Sequence, residues 1–312
     1  MQKTAGLWIA GHTGMVGSAL LRKFSGEGYE NLILRTHAEL ELCDASAVER
    51  FVRETRPEYV ILAAAKVGGI TANRDHMAEF LLENLQIQNN VISSAWKYGV
   101  KKLCFLASNC IYPRDAVQPF REDSLLAGPP EPTNEGYALA KIAGLRLCQY
   151  LTRQYGFRTM TLMPCCLYGK NDHFDPAHSH VMAAMVKRFC DAVDSGAEEI
   201  VCWGTGTPKR EFLNVDDFAD VAYELFRTHD DPEILNIGSS EEVSIRELAE
   251  TVAECAGYRG AIRWDSAKPD GIPRKLLDSS RLHAVSSWRP RIALKEGIRS
   301  MIADYRAGRA VR

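Results

Sequence analysis

Charge of one sign, long apolar runs and paired cysteine spacings are all missing from this 312-residue chain, and each absence excludes a class of protein. Lys and Arg number 38 against 40 Asp and Glu, a net charge of -2. That balance gives no general electrostatic case for nucleic acid, so any anionic ligand must be held by local groups. No apolar run approaches the roughly 20 residues of a membrane-spanning helix, and the strand-length run within residues 1–10 is too short for a signal peptide. The nine cysteines are odd in number, scattered and without CxxC spacing. They suit reduced thiols in a cytoplasm rather than a disulfide framework or a zinc site, and no metal is expected. There is no internal repeat and no low-complexity tract.

What is present is alternation. Leu7–Ala10 reads as a strand, GHTGMVG (11–17) as a loop, and the following segment as an amphipathic helix to about Phe24. Further strands are predicted at 32–34, 59–64, 103–107 and 159–163, with helices at 47–55, 78–98 and Glu135–Tyr155. Strands apolar on both faces, alternating with helices, predict an α/β fold of Rossmann type. Its doubly wound parallel sheet holds ligands beyond the carboxyl ends of the strands. After about Gly169 the pattern gives way to loops rich in His, Pro, Gly and Asp, with isolated helices at 181–194, 244–256 and 291–306. This part is expected to be a smaller, mixed α/β substrate-binding domain. The strand-like Ile234–Ile237 and a helix starting near Asp216 are expected to return to the large sheet. The expected division is 1–168, with about 213–240 returning to it, for the nucleotide-binding domain, and 169–212 with 241–312 for the substrate domain.

Gly11, Gly14 and Gly17 form GxxGxxG between the first strand and first helix. A pyrophosphate needs glycine there, because the backbone must turn tightly and approach the ligand with no Cβ in the way, while the helix N-terminus supplies N–H groups. Asp44 can accept from an adenine amino group or cap the next helix. Arg35, Thr36 and His37 follow the second strand, where a ribose 2′ substituent would lie. No acidic residue occupies that strand end, and Arg35 suits a 2′-phosphate, so the expected cofactor is NADPH.

Tyr137 and Lys141 form YxxxK within a helical segment, a spacing that puts both on one face. An ammonium beside the phenol favours tyrosinate and lowers its pKa, so Tyr137 can shuttle a proton to or from a sugar oxygen. Ser108, at the end of the fourth strand, can bind the same oxygen. Glycine loop, strand-end serine and YxxxK occur in the order and contexts of the short-chain dehydrogenase/reductase superfamily, which the chain resembles in its extended, nucleotide-sugar-modifying branch. The resemblance narrows at SNCIYP (108–113), EGYALAK (135–141), MPCCLYG (163–169), DHFDPAHSHV (172–181), CWGTGTPKREFLNVDD (202–217) and KPDGIPRKLLD (268–278), which are similar to the GDP-L-fucose synthase family over nearly the whole chain.

That resemblance implies an oxidoreductase with epimerase activity: inversion of GDP-4-keto-6-deoxy-D-mannose at C3 and C5, then NADPH reduction at C4. Cys110 is implied as the base and His180 as the partner acid, which an imidazolium can be at physiological pH. A thiolate is accessible near neutral pH when cations are close. His173 and His178 read as loop residues. Cofactor contacts are implied for Gly11, His12, Thr13, Gly14, Met15, Val16 and Gly17, and for Arg35, His37 and Asp44. A second group comprises Leu106, Ala107, Ser108, Asn109, Lys141, Pro164, Cys165, Cys166, Leu167 and His180. Arg188, Trp203, Arg210 and Asp270 are implied to hold the diphosphate, sugar and guanine. The helices 84–98 and 137–154 can pair into a homodimer interface, as the superfamily does, or pack on the sheet.

Thr13 and His37 stand where the resemblance leads one to expect arginines, and Cys165-Cys166 where it leads one to expect Thr-Asn. Alternative activities are a GDP-L-colitose synthase, a reductase of another GDP-4-keto sugar, and a silent nucleotide-binding protein. Intact Cys110 and His180 argue against the second, and intact Ser108, Tyr137 and Lys141 against the third.

Overall fold

The computed structural model describes residues 1–175, 179–268 and 270–308; His178 lies outside them. The chain begins β1 (Leu7–Ala10), α1 (Met15–Gly26), β2 (Leu32–Ile33), α2 (Ala45–Thr55), β3 (Tyr59–Leu62), α3 (Ile70–Asp75), α4 (Met77–Lys97) and β4 (Lys102–Leu106). It continues α5 (Glu135–Tyr155), β5 (Thr159–Pro164), β6 (Cys166–Tyr168), α6 (Val181–Ser195), β7 (Glu199–Trp203), β8 (Lys209–Asn214), α7 (Val215–Thr228) and β9 (Ile234–Ile237). The remainder is β10 (Glu242–Ser244), α8 (Ile245–Ala256), β11 (Ala261–Asp265), β12 (Arg274–Lys275), α9 (Ser280–Val285) and α10 (Leu294–Arg306).

Six strands form one parallel sheet in the order β2-β1-β3-β4-β5-β9. β1, β4 and β9 are buried on both faces, as a sheet covered by helices on each side requires. α1 packs against α7, while α4 packs against α2 and α5. The strand order turns round between β1 and β3, which opens a crevice beyond their carboxyl ends where the 11–17 loop sits.

The chain after Gly169 is not loop with isolated helices. β8 lies at the centre of a small sheet, antiparallel to β10 and parallel to β12 and β6, and β7 pairs with β11. These strands are two to six residues long and pair across large sequence separations, so they leave no local periodicity to read. Two apolar clusters result. One holds the large sheet, α1, α7 and also Leu277, Leu282 and Trp288. The other lies between α6, α8 and α10. α8 carries the clearest local signals: a Ser244–Glu247 capping box at its start and Gly257 in the left-handed conformation after its end. Among the described residues no helix is long and apolar enough to cross a membrane.

Candidate active site

β4 ends at Leu106, and a 3-10 turn over Asn109–Ile111 then carries Cys110 back beneath the sheet edge. α5 runs alongside and presents Tyr137 and Lys141 on one face. The Ser108 hydroxyl lies close to both the Cys110 thiol and the Tyr137 phenol and favours the anion of each. Lys141, 4% exposed, donates to Leu106 O at 3.0 Å, with its Nζ 5.6 Å from the Tyr137 ring centre.

The electrostatics differ from the sequence expectation. Burial holds the Tyr137 phenol above its ordinary range, the neighbouring Cys110 adds to this, and only the nearby Ser108 hydroxyl opposes it. The Lys141 ammonium is spent on a carbonyl rather than on the phenol, so Tyr137 stands as a protonated donor. Burial also lifts the Cys110 thiol, outweighing the Ser108 hydroxyl and the cations Lys275 and Lys141 that pull it down. Lys141 itself is lowered to about 8, because an ammonium loses hydration in this pocket. His180 immediately precedes α6, makes no capping bond, and exposes its ring at the cleft rim. The protein crowding it lowers the imidazole below its ordinary value, so it is not the resting imidazolium the sequence reading expects. Among the described residues no hydrogen bond joins it to the Ser108–Tyr137 group.

The 11–17 loop tests whether a dinucleotide fits. Gly11 has φ +88°, and a Cβ there would lie 2.6 Å from Ala64 N; at Gly17 it would lie 2.0 Å from Gly11 O. The loop is therefore closed against β3 and its own start, while Thr13 and Gly14 are exposed at its crest and Met15 and Val16 begin α1 half-buried. The His12 Nδ1 is buried without a hydrogen-bond partner. Arg35 lies exposed at the end of β2 over the Phe51 ring, with no carboxylate in ion-pair range among the described residues. Glycine backbone, orphaned imidazole nitrogen and unpaired guanidinium fit a phosphorylated dinucleotide. Asp44 caps α2 by accepting from Ala47 N at 3.0 Å, and His37 is paired with Glu41 instead of facing the cleft alone.

Leu106 and Ala107 are buried and Asn109 half-buried where β4 meets the cleft. Beyond Pro164 the chain switches from the large sheet to β6, and this explains the cysteine pair. Successive residues turn to different sides: buried Cys165 belongs to the apolar cluster of the large sheet, whereas half-buried Cys166, before Leu167, packs against the cluster of α6, α8 and α10, with the cations Lys275 and Arg210 nearby.

The residues expected to hold the rest of the substrate line the second half. Arg188 on α6 donates to Val201 O at 3.1 Å. Trp203, 62% exposed at the end of β7, carries the Lys268 ammonium 5.5 Å from its ring centre. Arg210 on β8 is half-buried. Asp270 is already engaged, accepting from Thr205 N at 3.0 Å and Thr205 Oγ1 at 2.7 Å, and it holds the 204–207 turn beside Arg210.

Sequence reasoning missed Lys275 and Glu211, though both lie inside the family-like motifs. Lys275 is in register with Arg210 across the β8–β12 pair and faces Cys110 and Cys166. A charged residue on a two-residue strand carries no local signal of which side it faces.

A model described as the NAD dependent epimerase/dehydratase family matches residues 7–238. GDP-L-fucose synthase 1 of Arabidopsis thaliana is 53% identical over 296 residues, covering 95% of this chain and 91% of its own. GDP-L-fucose synthase of Escherichia coli K12 is 47% identical over 303 residues, 94% of each. Of solved structures, the GDP-mannoheptose C4 reductase of Campylobacter jejuni with NADP bound has a TM-score of 0.89 at 33% identity, covering 98% of this chain and 99% of that one. A strand-closed glycine loop, a YxxxK helix and matches of this extent agree, and the chain belongs to the NAD dependent epimerase/dehydratase family.

Proposed function

We propose that the protein converts GDP-4-keto-6-deoxy-D-mannose to GDP-L-fucose, as a 3,5-epimerase and NADPH-dependent 4-reductase. The observation that carries this is one hydroxyl, Ser108, close to both a thiol and a phenol: Cys110 and Tyr137 can then serve neighbouring atoms of one sugar ring. A carbonyl at C4 acidifies the hydrogens on C3 and C5. Cys110 takes such a proton as Lys275 and Lys141 favour its anion, and the enolate oxygen rests against Ser108 and Tyr137. His180, open to solvent at the rim, takes up a proton and returns one to the opposite face of the carbon.

In the second step the Tyr137 phenol gives its proton to the C4 oxygen. NADPH, when bound, supplies the hydride. Lys141, held on Leu106 O, keeps the positive charge that favours the departing phenolate. Arg188, Trp203, Arg210 and Asp270 hold the GDP moiety, with Arg210 and Lys275 as neighbouring cations for the diphosphate. Residues 169–212 and 241–312 supply this substrate half. The nine unpaired thiols suit a reducing cytoplasm, and exposed Leu82, Trp96, Leu139, Tyr150 and Tyr155 on and beside α4 and α5 suit a homodimer.

The direct test is NMR analysis of the product from GDP-4-keto-6-deoxymannose and NADPH. GDP-L-fucose is expected. A product reduced at C4 but not inverted at C3 and C5 would leave only a reductase, and an unaltered substrate would remove the assignment.

A further inference from the structure

Glu211 is wholly buried, with 0% exposure, and among the described residues no cation pairs with it. Its carboxylate is held by backbone amides alone: Oε1 accepts from Ser240 N at 2.7 Å and Oε2 from Leu277 N at 3.1 Å. Burying a charge without a counter-ion is costly. What this one provides is geometry, because it joins three segments that local sequence does not bring together.

The first segment is β8, where side chains alternate. Lys209 and Glu211 share one face; Lys209 bonds Glu242, the register partner of Glu211 on β10, which also takes Arg274, the register partner of Lys209 on β12. Arg210 and Lys275, the next register pair, face Cys166 instead. The second segment is β12 and its continuation. Its ladder to β8 is only two residues long, so Leu277 N, two residues past Lys275, is taken by Glu211 rather than by a strand carbonyl. The third is the 238–240 turn, which leaves the end of β9 beside Cys165. Gly238 is packed so closely that a Cβ there would lie 2.3 Å from Glu211 Oε1.

We propose that Glu211 is a positioning residue for GDP-sugar binding: it fastens the segment bearing Lys275 and the 238–240 turn to the strand bearing Arg210, and so sets the spacing of the two cations. This rests on the assignment of Arg210 to the GDP moiety. Glu211 touches neither substrate nor cofactor; it acts through the backbone of Leu277 and Ser240. Burial raises its carboxyl to about 7 in spite of the amides, which marks how much hydration the clamp gives up.

Glu211→Gln keeps the shape, but its amide nitrogen cannot accept, so one of the two amides must be released. Titration calorimetry with GDP alone and with NADPH alone, on wild type and variant, reads the effect without turnover. Losing one bond to a charged acceptor should weaken GDP by roughly tenfold, with NADPH affinity unchanged and hydrogen exchange at Leu277 or Ser240 accelerated. Gly238→Ala, which pushes on the same carboxylate from the turn, should give the same selective loss and keeps the idea testable if the Gln variant does not fold. Unchanged GDP affinity in a folded variant, or equal losses of GDP and NADPH, overturns the inference. A wild-type protein that does not bind GDP overturns the functional assignment and the inference with it.

Discussion

Cys110 sits where two influences oppose each other. Burial raises its thiol, while the Ser108 hydroxyl, Lys275 and Lys141 favour the anion, and burial wins in the free protein. As the proposed base, Cys110 would work only while those cations are in place. Cys110→Ser keeps the size but raises the pKa far out of reach. In deuterated buffer without cofactor, mass spectrometry should show wild-type uptake at C3 and C5 and none in the variant, which still consumes NADPH slowly. Undiminished uptake would leave the cysteine as packing. Lys141 gives a second expectation. Its pKa is lowered to about 8, so the ammonium is present below that pH and lost as pH rises through it. If reduction needs the cation, kcat/KM should fall by about tenfold per pH unit above that point, and Lys141→Met should lose this alkaline limb. An alkaline limb retained in Lys141→Met would assign it to another group. At this scale the sequence named the candidates, since motif spacing alone brings Tyr137 and Lys141 to one face. It did not show their protonation, because that depends on how much water the finished fold removes.

Elements bring the cofactor end together. β1, the glycine loop and α1 form from a contiguous stretch, and their turn admits no Cβ at Gly11 or Gly17, so the glycine spacing makes this unit legible in the sequence. Arg35 depends on one more element, the short β2, which leaves it exposed at the strand end. Because His37 is paired with Glu41, Arg35 is the cation best placed for a 2′-phosphate. Arg35→Ala should weaken NADPH by roughly tenfold and leave NADH nearly unchanged, as read by fluorescence titration. Equal effects on both would show that no 2′-phosphate site exists there. The substrate end is different. β12 has two residues and β10 three, too short for period or propensity to register, and Arg210 acquires its neighbour Lys275 only through their pairing.

Across the whole molecule, buried polar groups tie distant segments together. Asn236 on β9, with 0% exposure, accepts from Tyr112 Oη at 2.6 Å and donates to Phe120 O at 2.9 Å and Asp278 O at 3.1 Å. It therefore joins the loop after Cys110 to the segment after Lys275. Asn236→Leu leaves these groups buried and unmatched, and should cost on the order of 2–3 kcal/mol in urea unfolding; a loss under about 0.5 kcal/mol would mean that water replaces it. The outer faces of α4 and α5 expose Leu82, 57% accessible, and Leu139, 43%. On the proposed homodimer, the wild type should sediment as a dimer and the double variant Leu82→Glu with Leu139→Glu as a monomer. A wild-type monomer would assign these side chains to ordinary surface.

By itself the sequence determined the doubly wound parallel sheet, the glycine loop and the pairing of Tyr137 with Lys141, because each follows from contiguous periodicity or from spacing within one turn or helix. The family-like motifs also carried Cys110 and His180. Only the tertiary structure decided that Cys165 and Cys166 turn to different sides, that Lys275 stands beside Arg210, and that Glu211 clamps three backbones. Those arrangements come from strand pairs separated by tens of residues, whose register is fixed by burial and long-range hydrogen bonds. The same burial decided that Tyr137 is held as a phenol and that the Lys141 ammonium is weakened. A pKa is set by the solvent a group loses, and that loss exists only once the chain has folded around it.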